Sequence, residues 1–173
     1  LWTKLAAVLT PSNSSIAEDI RTHTRKPMGA YSDIGTRTHE TAHDICSYLR
    51  NEATPSGTSS VAALYLGNDV AFVVAQPRFR KKDIVPFVPT SLREGRFVTY
   101  VQKASDWDDS PLYVVEEWLC YIHGSKATLE NGQPSKSDSA KAPMEMASYG
   151  IATLLAIESL DPAYLQEYPE VYD

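Results

Sequence analysis

Apolar positions recur with a helical period early in the chain, switch to a strand period in the middle, and return to a helical one at the end. Leu1 to Leu9 carries apolar residues at helical spacing and stops at Pro11, which predicts a short first helix. A second is expected from Ser15 to Thr22, with Ser14 or Ser15 as cap and Glu18 in its first turn. His23 to Arg37 contains Pro27, Gly29 and Gly35 and reads as loop. From Thr36 to Asn51, Ala42, Ile45, Cys46 and Leu49 recur at helical spacing, with Arg37, Thr41, Asp44, Arg50 and Asn51 elsewhere. That is an amphipathic helix of about four turns, capped by Thr36 or Thr38 and ended before Pro55-Ser56-Gly57.

The period then changes. Ser60–Leu66 and Asp69–Ala75 are β-branched and apolar runs separated by Gly67-Asn68, a hairpin pattern. After a stretch interrupted by Pro77, Pro86 and Pro89, a third strand is expected from Arg96 to Gln102. Asp109-Ser110-Pro111 marks a helix start, with proline at the first helical position, and that helix is expected to run to Gly124. Glu130–Ala142, rich in Ser, Gly, Lys and Pro, reads as an exposed loop, and a long last helix spans Pro143 to Ser159. The sum is an α+β chain in which helices outnumber a small, mainly antiparallel sheet.

At 173 residues the length fits a single domain, 1–173, with a core of its own. The net charge of −6 and the scattered basic residues exclude the electrostatic footprint of a nucleic-acid binder. The one basic run, Arg78, Arg80, Lys81 and Lys82, is read as a solvated loop. No apolar stretch approaches the ~18 residues of a membrane span. The start at Leu1, without methionine, gives the expectation of a processed chain and hence a secreted or extracytoplasmic location. Cys46 and Cys120 could form one bridge or remain two reduced core thiols. Asn13-Ser14-Ser15 is a formal glycosylation triplet.

The candidate chemistry lies on the helix after Thr36. His39-Glu40-Thr41-Ala42-His43 puts two imidazoles four residues apart, on one helical face, where both can reach one metal ion. Zinc accepts imidazole nitrogen at about 2.0–2.1 Å in a tetrahedral shell, and hydrolytic sites keep one position for water. Glu40, beside the pair, is placed to take a proton from that water and return it to a leaving group.

These residues resemble the zincin metallopeptidases. The resemblance implies an α+β zincin-like fold: an active-site helix on a small sheet, a second helix bearing a glutamate, and a long C-terminal helix. It also implies a third ligand downstream. A histidine six residues on is excluded, because position 49 is Leu49. The version with a glutamate on a second helix fits Val114-Val115-Glu116-Glu117-Trp118-Leu119-Cys120-Tyr121. A helical wheel, with Val115, Trp118, Leu119 and Ile122 as the buried face, favours Glu116. Glu117-Trp118-Leu119-Cys120 looks like the pattern around the ligand glutamate of some bacterial toxin-type zincins, which favours Glu117, and the expectation leans to Glu117, with the other carboxylate holding a histidine ring from behind. His123 is a further candidate ligand. Tyr113, Tyr121, His123 and Tyr149 are candidates to stabilise an oxyanion, as the resemblance requires.

The activity implied is that of a zinc-dependent metalloendopeptidase acting on a protein or peptide. Two alternatives keep the same residues: a zincin-like binding module without turnover, and a zinc amidase acting on a non-peptide polymer. One departure from the family pattern concerns topology. Zincins bind substrate along an edge strand that precedes the active-site helix, and no good strand is visible ahead of His39.

Overall fold

The computed structural model describes residues 5–6, 15–25, 29, 33–54, 60–133 and 138–171. In chain order these form β1 (Leu5–Ala6), α1 (Ile16–His23), α2 (Ile34–Ala53), β2 (Val61–Gly67), β3 (Val70–Ala75), α3 (Tyr113–Glu130), α4 (Asp138–Leu160) and α5 (Pro162–Glu167). Between β3 and α3 the chain runs through short, irregular helical turns. The fold is α+β: helices around a small antiparallel sheet of order β1-β3-β2. No helix among the described residues is long and apolar enough to cross a membrane.

Helix starts follow local chemistry. Ser15 caps α1 by accepting from the Glu18 amide, and Asp33 caps α2 by accepting from the Thr36 amide at 2.8 Å. The α2 cap is therefore Asp33, not Thr36 or Thr38, and the helix begins at Ile34, two residues earlier than expected. Asp33 is the better cap because its second oxygen also takes the Thr36 hydroxyl, at 2.9 Å.

The hairpin turns at Asn68 and Asp69, whose φ values of 53° and 61° make the left-handed pair of a two-residue turn. Both strands read as unbroken apolar runs because both sheet faces are covered. Ala63, Tyr65, Ala71 and Val73 pack against α1, α2 and α3, whereas Ala62 and Val74 pack against Leu112, Ile157 and Tyr164. A third apolar cluster joins α4 to the irregular segment through Ile84, Phe97, Val101, Met146 and Tyr149.

Several expectations are corrected. Leu5–Ala6 is strand paired to β3, where a helix was expected; the rest of 1–9 lies outside the described residues, as does the 13–14 part of the glycosylation triplet. The segment expected as a third strand is a wide helical turn, Phe97–Lys103, because Phe97 and Val101 face the α4 core at a helical, not an alternating, interval. Of the expected loop 130–142, Glu130 closes α3 and 138–142 open α4, while 134–137 lie outside the described residues. α3 begins at Tyr113, with Pro111 and Leu112 forming the turn before it.

The basic run is also more than a solvated loop. Lys81 is fully buried, and its Nζ donates to the carbonyls of Tyr100 and Val101 at 2.7 and 3.0 Å. It thereby satisfies acceptors that the widened turn exposes, and burial pulls its pKa below the usual lysine value.

Candidate metal centre

Glycines meet where α2 crosses α3, and they let the two backbones come into contact. A Cβ built on Gly124 would lie 2.7 Å from the Gly35 carbonyl oxygen and 3.2 Å from His39 Cβ. One on Gly35 would lie 2.3 Å from Thr128 Oγ1. With both positions bare, the face of α2 that carries His39 and His43 lies directly against the face of α3 that carries Glu116, Glu117 and Cys120.

His39, His43 and Glu117 each offer a donor atom, and these atoms all lie within 4.8 Å of one another. His43 Nε2 is 3.3 Å from Glu117 Oε1 and His39 Nε2 is 3.6 Å from Glu117 Oε2. Two donors at zinc–ligand distance from one tetrahedral centre are separated by about 3.3–3.4 Å, so these spacings suit a shared ion.

Each histidine is fixed from behind. The His39 ring donates to the Cys120 carbonyl, which leaves Nε2 aimed at Glu117. His43 Nδ1 lies 3.0 Å from Glu116 Oε1, and Glu116 in turn takes Arg50 on its other oxygen. Glu117 Oε1 accepts the Tyr113 hydroxyl at 2.6 Å. Its Oε2 is buried without a hydrogen-bond partner. A carboxylate 4 % exposed with one orphaned oxygen is a costly arrangement unless a cation completes it.

Electrostatics point the same way. Burial, and the neighbouring His43, hold His39 down to about 4, so its Nε2 keeps a free lone pair near neutral pH. Burial also pulls on His43, but its contacts with Glu116 and Glu117 outweigh it and raise its pKa to about 10. In the metal-free protein a proton therefore occupies the position between His43 and Glu117. Glu117 is held below the usual carboxylate value: burial opposes this, and the contacts with His43 and Tyr113 prevail.

The remaining expected site residues divide. Glu40 is half-buried beside the two histidines, and makes no hydrogen bond or ion pair among the described residues. Glu116 is not in the donor group but stands behind His43. Tyr113 braces Glu117. Tyr121 packs edge-on to His39, with ring centroids 4.5 Å apart.

His123 faces elsewhere: it is 3 % exposed and its Nε2 donates to the Tyr65 carbonyl of β2 at 2.8 Å. The expectation of His123 as ligand or oxyanion stabiliser finds no geometric support. Tyr149 is fully buried, its single hydroxyl proton shared between the Leu92 carbonyl and a Glu145 carboxylate oxygen, each 3.0 Å away. The wheel on α3 also fails, since Ile122 is exposed while Glu116 and Glu117 are buried. α3 is flanked by α2, α4 and the sheet, so it has no single apolar stripe.

Two aromatic residues were not legible as site components. Tyr100, on the segment expected as strand, has its hydroxyl 2.7 Å from that of Tyr121. Trp107 stacks on Tyr113 at 4.6 Å with nearly parallel rings, and the Arg50 guanidinium lies 5.2 Å from the Trp107 ring centroid. Cys46 and Cys120 are unbridged, buried, and in side-chain hydrogen-bond contact behind the histidines; burial pushes the Cys120 thiol well up. No known family, characterised protein or solved structure matches this chain.

Proposed function

We propose that this chain is a zinc-dependent hydrolase of the zincin type, and that it cleaves peptide bonds. The observation that carries the reading is the convergence of His39, His43 and Glu117, with Glu117 Oε2 buried and unpartnered. Two imidazoles and one carboxylate form the donor set of hydrolytic zinc sites.

When bound there, zinc would supply a Lewis acid that polarises a carbonyl and makes water acidic near neutral pH. The protein's own groups do the rest. Cys120 and Glu116 orient the two imidazoles, and Tyr113 fixes the rotamer of Glu117. Glu40, which makes no hydrogen bond or ion pair among the described residues, takes the proton of the attacking water and delivers it to the leaving amine. Tyr121 and Tyr100, hydroxyl to hydroxyl beside His39, are the donors assigned to the developing oxyanion, since the Tyr113 hydroxyl is engaged by Glu117. They take the role that the sequence offered to His123.

The test is metal content together with turnover of a mixed peptide substrate, for wild type and Glu40→Gln. Wild type should carry zinc at His39, His43 and Glu117 and cleave. Glu40→Gln should keep that zinc and lose about 10²–10⁴-fold in rate. A wild type that neither retains zinc after dialysis against it nor cleaves would end the reading.

A further inference from the structure

A second group of cation-binding side chains lies away from the first, where α1 meets the β2–β3 turn. Asp19 and His23 stand four residues apart on one face of α1, the same spacing as His39 and His43. Asp69 reaches them from the turn, where its left-handed backbone, φ 61°, directs it back toward α1. One donor atom from each of the three lies within 4.8 Å of the others.

The group is braced like a built site. Asp19 is 4 % exposed, and its Oδ2 accepts the Tyr65 hydroxyl at 2.9 Å and the Asn68 amide at 3.1 Å. The nearest acceptor to His23 Nδ1 is the Asp19 backbone carbonyl, at 2.7 Å, which places the ring proton on Nδ1. Nε2 then meets Asp69 Oδ1 in direct contact, closer than the roughly 3.3–3.4 Å between two ligands of one tetrahedral zinc, so the metal-free protein holds a shared proton there. An ion takes the place of that proton when the exposed Asp69 side chain swings outward. The His23 ring repeats the arrangement of His39, whose ring donates to a backbone carbonyl and presents Nε2 to Glu117.

Charge favours exchanging that proton for a metal ion. Among the described residues no Lys or Arg pairs with Asp19 or Asp69; their only ion-pair partner is His23. A protonated His23 would supply one positive charge against two carboxylates, one of them buried. A divalent cation balances both. We propose that Asp19, His23 and Asp69 form a second divalent-cation site that ties α1 to the hairpin. The occupant is a zinc-like first-row ion rather than calcium. Calcium takes six to eight oxygens, whereas here a single imidazole and two carboxylates are offered, with His23 and Asp69 open enough to admit water. The site is structural: its ligands hold no general base, and it joins an N-terminal helix to a turn.

The test uses the full 173-residue chain, stripped with chelator, reloaded with zinc and freed of loose metal by gel filtration before metal is counted. Wild type should hold two equivalents. Asp69→Asn and His23→Gln should each hold one, as should Glu117→Gln, and the Asp69→Asn/Glu117→Gln double variant none. Asparagine tolerates the left-handed turn, so Asp69→Asn preserves the hairpin, which circular dichroism checks. Cobalt gives a second readout. Glu117→Gln should take up one cobalt with visible absorption and a raised melting temperature, and both should vanish when Asp69→Asn is added. Equal metal counts in wild type, Asp69→Asn and His23→Gln, or no cobalt uptake by Glu117→Gln, would overturn the second site. Failure of the first site reads differently: wild type and Glu117→Gln would then hold the same count.

Discussion

Glu116→Gln removes one charge from behind His43 and leaves the shape of the side chain intact. In the native arrangement one oxygen faces His43 Nδ1 at 3.0 Å and the other takes Arg50, whose side chain is 13 % exposed. The glutamine carbonyl can still accept from His43, but as a neutral acceptor it makes the imidazole a poorer ligand. Its amide nitrogen meets Arg50 donor to donor. Losing a partner of this kind typically costs 10–100-fold in metal affinity, which is about 1.4–2.8 kcal/mol. Stripping Arg50 of its buried partner carries a separate penalty in fold stability, of order 3–5 kcal/mol, because a charge is left uncompensated. The assay is zinc competition against a chelator of known affinity, near neutral pH, alongside thermal melts of the metal-free proteins. Arg50→Met serves as control. It leaves Glu116 charged and in contact with His43, so it should weaken zinc binding less than Glu116→Gln does. Glu117→Gln should go further and lose stoichiometric zinc from the centre altogether. The opposite order, with zinc kept at the centre in Glu117→Gln and lost in Glu116→Gln, would exchange the roles of the two glutamates and refute the reasoning.

Two further outcomes follow from the same geometry. Gly124→Ala should destabilise the chain by about 1–3 kcal/mol and weaken zinc binding, since the new methyl group would force α2 and α3 apart at His39; unchanged melting and affinity would show that the crossing is slack. The metal-free protein should be most stable near pH 6.5, the ordinary histidine value. His39, depressed to about 4, costs stability as pH falls from 6.5 toward 4, because the unfolded chain then binds the extra proton. His43, raised to about 10, contributes stability below 6.5 that is lost as pH rises toward 10. Each arm has a limiting slope of about 1.4 kcal/mol per pH unit, and zinc, by displacing the proton of His43, should flatten the alkaline arm. Urea midpoints across this range, with and without zinc, measure both; identical profiles would refute the assignment.

What the sequence by itself determined is whatever depends on neighbours along the chain. The four-residue interval of His39 and His43 fixes their common face on any helix, and the apolar spacing around them supplies the helix. The hairpin follows from two apolar runs and a turn, although the turn centres on Asn68 and Asp69 rather than on Gly67 and Asn68. The tertiary structure decided everything that depends on which side of an element is covered, and by what. Glu116 and Glu117 are adjacent and both buried, so no wheel separates them; only the packing of α2 on α3 turns Glu117 to both histidines and Glu116 to His43 Nδ1 alone. Arg96–Gln102 is rich in β-branched and aromatic residues, which resembles a strand, and only the α4 core and the buried Lys81 hold it as a helical turn that brings Tyr100 to Tyr121. His123 and Glu117 lie on the same helix, yet one points to the sheet and the other to His39 and His43. Local spacing fixes the angle between such side chains; the partners they meet are set by contacts between residues far apart in sequence.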